Sequence, residues 1–323
     1  MENFKNLPIV KKLGFNRIVL VGVLIVMYFL FSLGSGRMLG SGDIKNALNM
    51  VDYLGFLALG VTFVIATGGI DFSIGPVMVC AGLIAGRLLV TFHWPLAIAL
   101  LMCVVVGMIF GIFNGILVAY MGLPSFISSM ASMMLAKGVG SVFTHVQNSN
   151  WPATGEPNSG YKYLVTYNGF PTGLVFLLVV AIICAIIMNK TKIGRYILCI
   201  GSNREAVRLS GVDTRKWEAL AYVICGTLAG IAAITYVGVI TQVQPGLGDE
   251  FNNNAIASCV MGGTSMAGGV ASIGGTIIGV LIISLLRVGI QAMGFRPDYQ
   301  YIITGIIVAL AVFADIRSNS RKK

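Results

Sequence analysis

The 323-residue chain is 56% hydrophobic and only 11% charged, with a mean hydropathy of +0.87, whereas soluble domains carry about 25% charged residues. This excludes a soluble globular domain and indicates a polytopic membrane protein. The net charge of +10 does not mark nucleic-acid binding, because the cations gather in three stretches: Lys5, Lys11, Lys12 and Arg17; then Lys190, Lys192, Arg195, Arg204, Arg208, Arg215 and Lys216; then Arg317, Arg321, Lys322 and Lys323. Such clusters lie on the cytoplasmic face of a membrane protein and favour anionic lipid.

A membrane span needs about 20 mostly apolar residues. In chain order that predicts helices over residues 18–33, 51–67, 72–90, 95–120, 126–143, 172–188, 220–240, a shorter 255–266, 273–291 and 299–313. The first has the charged-then-apolar layout of a signal peptide, but it leads into further spans and reads as an uncleaved helix. About ten spans form one transmembrane domain, 1–323, and an even number returns both termini to the cytoplasm. Trp94, Trp151 and Trp217 fall at span ends, where amphipathic rings favour the interface. The chain is thus expected to be an all-α, multi-pass protein of a cell (inner or plasma) membrane.

Two connections stand out. The external loop 145–171, with Trp151, Pro152, Pro157 and several tyrosines, is long enough to be functional and is expected to dock an external partner; a mere linker is the alternative. A second external piece is expected over 242–254. The basic segment 189–218 is the longest polar connection inside. Within it a short helix is predicted over Ser202 to Leu209, with Ser202 as N-cap, Glu205 completing a capping box and Gly211 as the stop. Such a helix is what a membrane subunit offers to a soluble partner; a solvated basic loop is the alternative.

Gly107, Gly111 and Gly115 recur at four-residue spacing, as do Gly226 with Gly230 and Gly275 with Gly279, the pattern that lets helix backbones approach closely. Gly68–Gly75 also lays over Gly262–Gly269, and Gly111-x-x-x-Gly115 resembles Gly275-x-x-x-Gly279. Interrupted segments in corresponding positions point to a transporter of two related halves, against which stands chance matching among 41 glycines.

Polar groups near the apolar runs are Asp71, Arg87, Asn114, Lys137 and Arg287. The three cations sit near span ends, where snorkelling to headgroups accounts for them. Asp71 is expected at a helix break, as a cap of the next helix or part of a gate. Asn114 is the leading choice for an interhelical hydrogen bond or a contact to a hydroxyl-rich solute. The six cysteines and two histidines form no metal-binding spacing, and the chain holds neither a phosphate-binding G-x-x-x-x-G-K-[ST] loop nor a nucleophile elbow. Nor does it show the set of buried carboxylates that ion coupling requires. Energy for active transport must then come from a partner.

Three motifs in order, Gly69-Ile-Asp-Phe-Ser-Ile-Gly75, Gly201-Ser-Asn-Arg-Glu-Ala-Val-Arg-Leu-Ser-Gly211 and the run from Ala255 to Gly269, resemble those of the permease subunits of ribose, xylose and galactoside-type ABC sugar importers. The resemblance implies a permease that pairs with a second copy or a close relative, a cytoplasmic ABC ATPase that holds ATP and Mg, and an extracytoplasmic solute-binding protein. This chain itself would bind no cofactor and no metal and would not be an enzyme. The ATPase-coupling segment maps onto Asn203, Glu205, Ala206, Ser210 and Gly211. It departs from the E-A-A-x-x-x-G loop at Val207, and Ser202 stands where Gly is usual. Where the family often shows Glu-Leu-Asp, this chain reads Asn252-Asn253-Asn254. Asp71, Ser73, Asn114 and Asn254 are expected along the translocation pathway or gate of a small polar solute, first of all a monosaccharide. Nucleosides or a furanosyl signalling molecule are alternatives within that class, and an ion-coupled secondary transporter is the rival outside it.

Overall fold

A computed structural model describes residues 15–296 and 298–320. The terminal cations Lys5, Lys11, Lys12, Arg321, Lys322 and Lys323 lie outside the described residues, as do the side chains of Arg17 and Arg317. Helices dominate in the order α1 Phe15–Gly34, α2 Ser41–Ala66, α3 Ile74–Val90, α4 Leu96–Gly115, α5 Ser125–Thr144, α6 Thr172–Lys190, α7 Lys192–Leu209, α8 Thr214–Val239, α9 Asp249–Met261, α10 Ile273–Ala292 and α11 Asp298–Ser320. Helix α4 runs on through one π-helical turn, Ile116–Tyr120. Among the described residues six helices are long and apolar enough to cross a membrane: α2, α4 with its π turn, α5, α6, α8 and α10. The architecture is that of an all-α polytopic membrane protein.

Helix α2 is the axis. From Met50 to Ala66 every residue is buried, because α8 and α10 pack along it and α6 and α9 add further contacts. Peripheral helices present apolar side chains outward instead, such as Ile25, Leu30 and Leu33 on α1 and Val175, Ile182 and Ile183 on α6. Lipid tails are as apolar as these residues, so burial of apolar surface cannot hold such helices together, and close backbone packing takes over.

The glycines show how. A Cβ on Gly107 would strike the Gly226 carbonyl and Gly230, one on Gly111 the Tyr222 carbonyl, and one on Gly115 the Ala219 backbone. The ladder of α4 therefore meets a matching ladder on α8 with no side chain between them. On the other flank Gly275 faces the carbonyl of Gly262 and Gly279 that of Ser258, which seats α10 against α9. A buried hydroxyl pair, Thr62 and Thr276 at 3.0 Å, adds a polar link between α2 and α10.

Several element boundaries differ from the sequence expectation. Helix α2 begins at Ser41, ahead of the predicted residue 51, because Asp43 accepts the Gly40 amide at 2.9 Å and pairs with Arg37 at 2.6 Å, fixing a first turn before the apolar run. The external piece 242–254 ends early: α9 starts at Asp249, where Asp249 and Glu250 suit the positive end of a helix dipole. The same helix stops at Met261, short of the predicted residue 266, and the chain then opens through Gly262 and Gly263. The basic segment 189–218 is almost wholly helical, since α7 spans Lys192–Leu209 and α8 begins at Thr214 behind an Asp213 N-cap that accepts from Arg215 and Lys216.

The loop 145–171 is folded. Its strand Ser149–Asn150 pairs antiparallel with Gln242–Val243. Trp151 is buried and donates its indole N–H to the Gly82 carbonyl at 3.1 Å. Tyr161 stacks at 5.1 Å on that indole and donates its hydroxyl to the Pro152 carbonyl; burial pushes its phenol pKa up.

Because the α4–α8 crossing meets backbone to backbone, Gly226→Ala is expected to destabilise the protein by roughly 1–3 kcal/mol, the usual cost of overpacking. Gly22→Ala, at a site with nothing within 4 Å, should leave thermal unfolding in detergent unchanged. Equal unfolding temperatures for the two variants would contradict this packing.

Candidate functional site

Between α2 and α3 the chain is broken at residues 67–73, and the break carries the acidic group that the sequence singles out. Asp71 is 1% exposed. Its Oδ1 accepts the Ser73 amide at 2.8 Å and the Ser73 hydroxyl at 2.6 Å, an Asx-type turn that leads into the first turn of α3. Asn114 of α4 then donates its Nδ2 to Ser73 Oγ at 2.9 Å and, at 3.4 Å, to Asp71 Oδ2. Its carbonyl accepts the Ser132 hydroxyl of α5 at 2.5 Å. Asp71, Ser73 and Asn114 thus form one chain of buried hydrogen bonds, with Ser132 as its fourth member, tying the break to α4 and α5. The space enclosed by Asp71, Ser73, Phe110, Asn114 and Gly226 is too small for a solute.

Asn254 lies elsewhere. It is buried on α9 and lines a cavity of about 350 Å³ together with Phe72, Asn253, Met266, Tyr301 and Thr304. A second cavity, of about 560 Å³, shares Glu250 and Tyr301 with the first and is lined by Tyr53, Tyr236, Gln244, Phe251 and Arg287. The three rings Tyr53, Tyr236 and Phe251 meet edge to face at 5.3–5.5 Å. At the boundary between the cavities the Tyr301 hydroxyl donates to Glu250 at 2.7 Å, and Arg287 stands 4.0 Å from the same carboxylate.

The asparagine run divides its work. Asn252 donates to the Phe72 carbonyl and accepts the Gly75 amide at 2.7 Å, clamping the start of α3 to α9. Asn253 and Asn254 face the cavity. Neither Lys137 nor Arg287 is left to reach for headgroups alone: Lys137 pairs with Asp249 at 2.6 Å, and Arg287 with Glu250.

The basic segment shows one local correction. Helix α7 is kinked at Asn203, which adopts an extended φ of −160° and ψ of 94°. Asn203, not Ser202, caps the second half, accepting the Ala206 amide at 3.0 Å. Ser202 instead donates to Leu198 in the preceding turn. No capping box forms, because the residue three past the new cap is Ala206; Glu205 pairs with Arg208 at 2.6 Å. That guanidinium holds the Glu205 carboxyl below the usual carboxylate range, although both groups are fully exposed. Ser210 donates to the Val207 carbonyl, and Gly211 takes φ +82°, ending the segment.

At the foot of this segment α7 touches the broken helices directly. A Cβ on Gly201 would strike the Ala66 carbonyl and the Gly269 amide, and the Gly269 amide itself donates to Ala66 at 3.0 Å. The two glycine-rich stretches of the sequence echo therefore lie side by side, with α7 seated on both.

Sequence reasoning does not single out Asp52. It is 1% exposed in α2, next to Gly173 of α6, and its Oδ1 has no hydrogen-bond partner among the described residues. An acidic residue inside the apolar run 51–67 was its available signal. The rings around the larger cavity carry no such signal, because they come from helices far apart in sequence, and Arg287, a visible cation near an apolar run, meets Glu250 only in the fold.

Comparison with known proteins gives the class. The chain belongs to the family described as branched-chain amino acid transport system / permease component, whose profile matches residues 44–312. It is therefore a multi-pass membrane permease, a transport component and not an enzyme. It is 32% identical to the ribose import permease protein RbsC of Escherichia coli K12, over 90% of this chain and 91% of the relative. The xylose transport system permease protein XylH of Haemophilus influenzae is 30% identical over 94% and 96% of the two chains. RbsC of Bacillus subtilis is 31% identical over 92% of each. No solved structure matches the chain.

Because Asn114 satisfies three buried partners at once, Asn114→Leu leaves the Ser132 hydroxyl without its partner and Asp71 and Ser73 each with one bond fewer, and is expected to cost roughly 1–3 kcal/mol for the orphaned hydroxyl and more for the weakened pair. Ser132→Ala removes one bond and should cost less. Thermal unfolding of the two variants in detergent checks that order.

Proposed function

We propose that this chain is the membrane subunit of an ABC importer for a monosaccharide, with ribose and xylose as the first substrates to test. The observation that carries the reading is similarity along nearly the whole chain to ribose and xylose permeases. The chain makes ten crossings, counting α1, α3, the short α9 and α11 with the six long apolar helices, and α7 lies in the cytoplasm beside both termini. The cation-rich segment 189–218 supports that orientation. Its two halves each centre on an interrupted pair, α2 with α3 and α9 with α10, a construction that places a transport pathway at the breaks.

The importer is completed by a second copy of this chain or a close relative, a cytoplasmic ABC ATPase that binds ATP and Mg, and an extracytoplasmic solute-binding protein that docks on the folded cap 145–171. ATP binding at the inner face biases the bundle between outward-open and inward-open states, and the solute follows the change of access. Asn203, Glu205, Ala206, Ser210 and Gly211 form the contact to the ATPase. Asp71, Ser73 and Asn114 hold the break that must rearrange, and Asn254 faces the pathway. The buried carboxylate of Asp52 favours one rival, ion coupling, in which an ionophore rather than ATP depletion abolishes uptake.

Reconstituted vesicles containing this chain, its ATPase and its binding protein are expected to accumulate ribose or xylose only while ATP is hydrolysed, and not L-leucine. Accumulation without nucleotide hydrolysis refutes the proposal. In the same vesicles, Glu205→Lys combined with Gly211→Val should lower solute-stimulated ATP hydrolysis by roughly tenfold or more, since the second change forces a Cβ into a left-handed backbone, while membrane insertion is unchanged.

A further inference from the structure

We infer that Arg204 and Glu218 are positioning residues for transport: their ion pair is the tether through which the half-helix beyond the kink at Asn203 moves α8. The inference rests on the reading of that half-helix as the ATPase contact, and adds to it the route by which its movement enters the bundle.

The kink divides α7 into two parts with different attachments. The first part is packed, with Ile197 and Ile200 buried, Tyr196 stacked at 5.0 Å on Trp217 of α8, and Gly201 against the backbones of Ala66 and Gly269. Beyond Asn203 the side chains turn outward, and Arg204, Glu205, Ala206, Arg208 and Leu209 are all exposed. Glu205 pairs with Arg208 and Ser210 with Val207, contacts that stay within the segment. Among the described residues one ion pair, and no other hydrogen bond, joins 203–211 to another helix. Arg204 Nη1 donates to Glu218 Oε1 at 3.3 Å, and its Nη2 stands 2.7 Å from Oε2.

The pair is asymmetric. Glu218 is 7% exposed, whereas the Arg204 side chain is 49% exposed. A buried carboxylate that loses its partner is left as an uncompensated charge, while a surface guanidinium on its own is solvated by water. The carboxylate therefore fixes the arginine, and with it the half-helix, in place.

Glu218 also sits where a shift of α8 is passed on. Its neighbour Ala219 meets Gly115 of α4, and Tyr222, one turn further, meets Gly111, with backbone against backbone in both cases. The same α4 carries Asn114 to Asp71 and Ser73. Tyr222 is fully buried, and a Cβ on Gly69 would strike its hydroxyl. Within one turn of Glu218, α8 thus meets both α4 and the break at 67–73.

Glu218→Met keeps the bulk, removes the charge and leaves Arg204 free to turn to water. If the pair only holds the fold together, its replacement by an apolar residue is tolerated and transport is normal. If the pair is the tether, the variant folds and the ATPase still co-purifies with it, yet the D-ribose or D-xylose taken up per ATP hydrolysed in the reconstituted importer falls by roughly tenfold, within the range usual for coupling between two sites. Wild-type uptake per ATP by Glu218→Met overturns the inference.

A charge swap decides the matter should Glu218→Met fold poorly. Arg204→Glu alone sets two carboxylates against each other and should lower the same ratio at least as far. Adding Glu218→Arg restores the pair in reverse and is expected to return the ratio to within about twofold of wild type, the signature of two residues that act through each other. A double variant no better than Arg204→Glu overturns the tether while wild-type, ATP-driven uptake stands. Wild-type uptake that ignores ATP refutes the functional reading itself, and the tether with it, so the two failures are distinguishable.

Discussion

The structure depends on one constraint: within a membrane no backbone N–H or C=O can be left without a partner, because lipid offers none. Most of the chain meets it with unbroken helices. The interruptions at 67–73 and 262–272 cannot, and they are where the polar residues of the chain converge. Each break is satisfied partly from within, as where Asp71 accepts the Ser73 amide, and partly from outside itself. Ile70 donates to the Ser125 hydroxyl, Phe72 and Gly75 are both met by Asn252, and Gly269 donates to Ala66 across the seam between the breaks. Side chains with spare donors and acceptors stand in for the missing helix ladder, and each of them joins two elements.

Close packing by glycine is the second half of the same solution. Where side chains cannot be driven together by water, backbones approach until dispersion and weak polar contacts hold them. The ladder of Gly107, Gly111 and Gly115 against α8 does this at one crossing, and Gly275 and Gly279 against α9 do it at another. These contacts leave the broken helices flanked by well-fitted neighbours, and the two polar-lined cavities meet beside α11, where both are lined by Glu250 and Tyr301.

Much of the fold was legible because apolar runs and their glycine punctuation are local signals. The break before α3, its Asp71 and Ser73, and the polar Asn114 could all be read from short stretches, since an acid or amide in a greasy run stands out whatever its partners. The starts of α2 and α8 were less legible: their first turns are polar and are fixed by Asp43 and Asp213, so hydropathy alone places them too late. Asn203 displaced Ser202 as a cap because Ser202 has a competing acceptor one turn back, at Leu198, which spacing does not reveal. The cavities were invisible for a deeper reason. Tyr53, Tyr236, Arg287 and Tyr301 become neighbours only once four helices have packed, and Asn252 clamps the start of α3 while Asn253 and Asn254, next to it in sequence, face the cavity.

The seat of α7 on Gly201 has a mechanical meaning. At that residue only a hydrogen atom stands between α7 and the backbones of Ala66 and Gly269, with the short Ser202 side chain beside it against Gly269. There is little here to compress. Any displacement of α7 at Gly201 therefore meets Ala66 and Gly269 at the same point, and those two are themselves joined by a hydrogen bond.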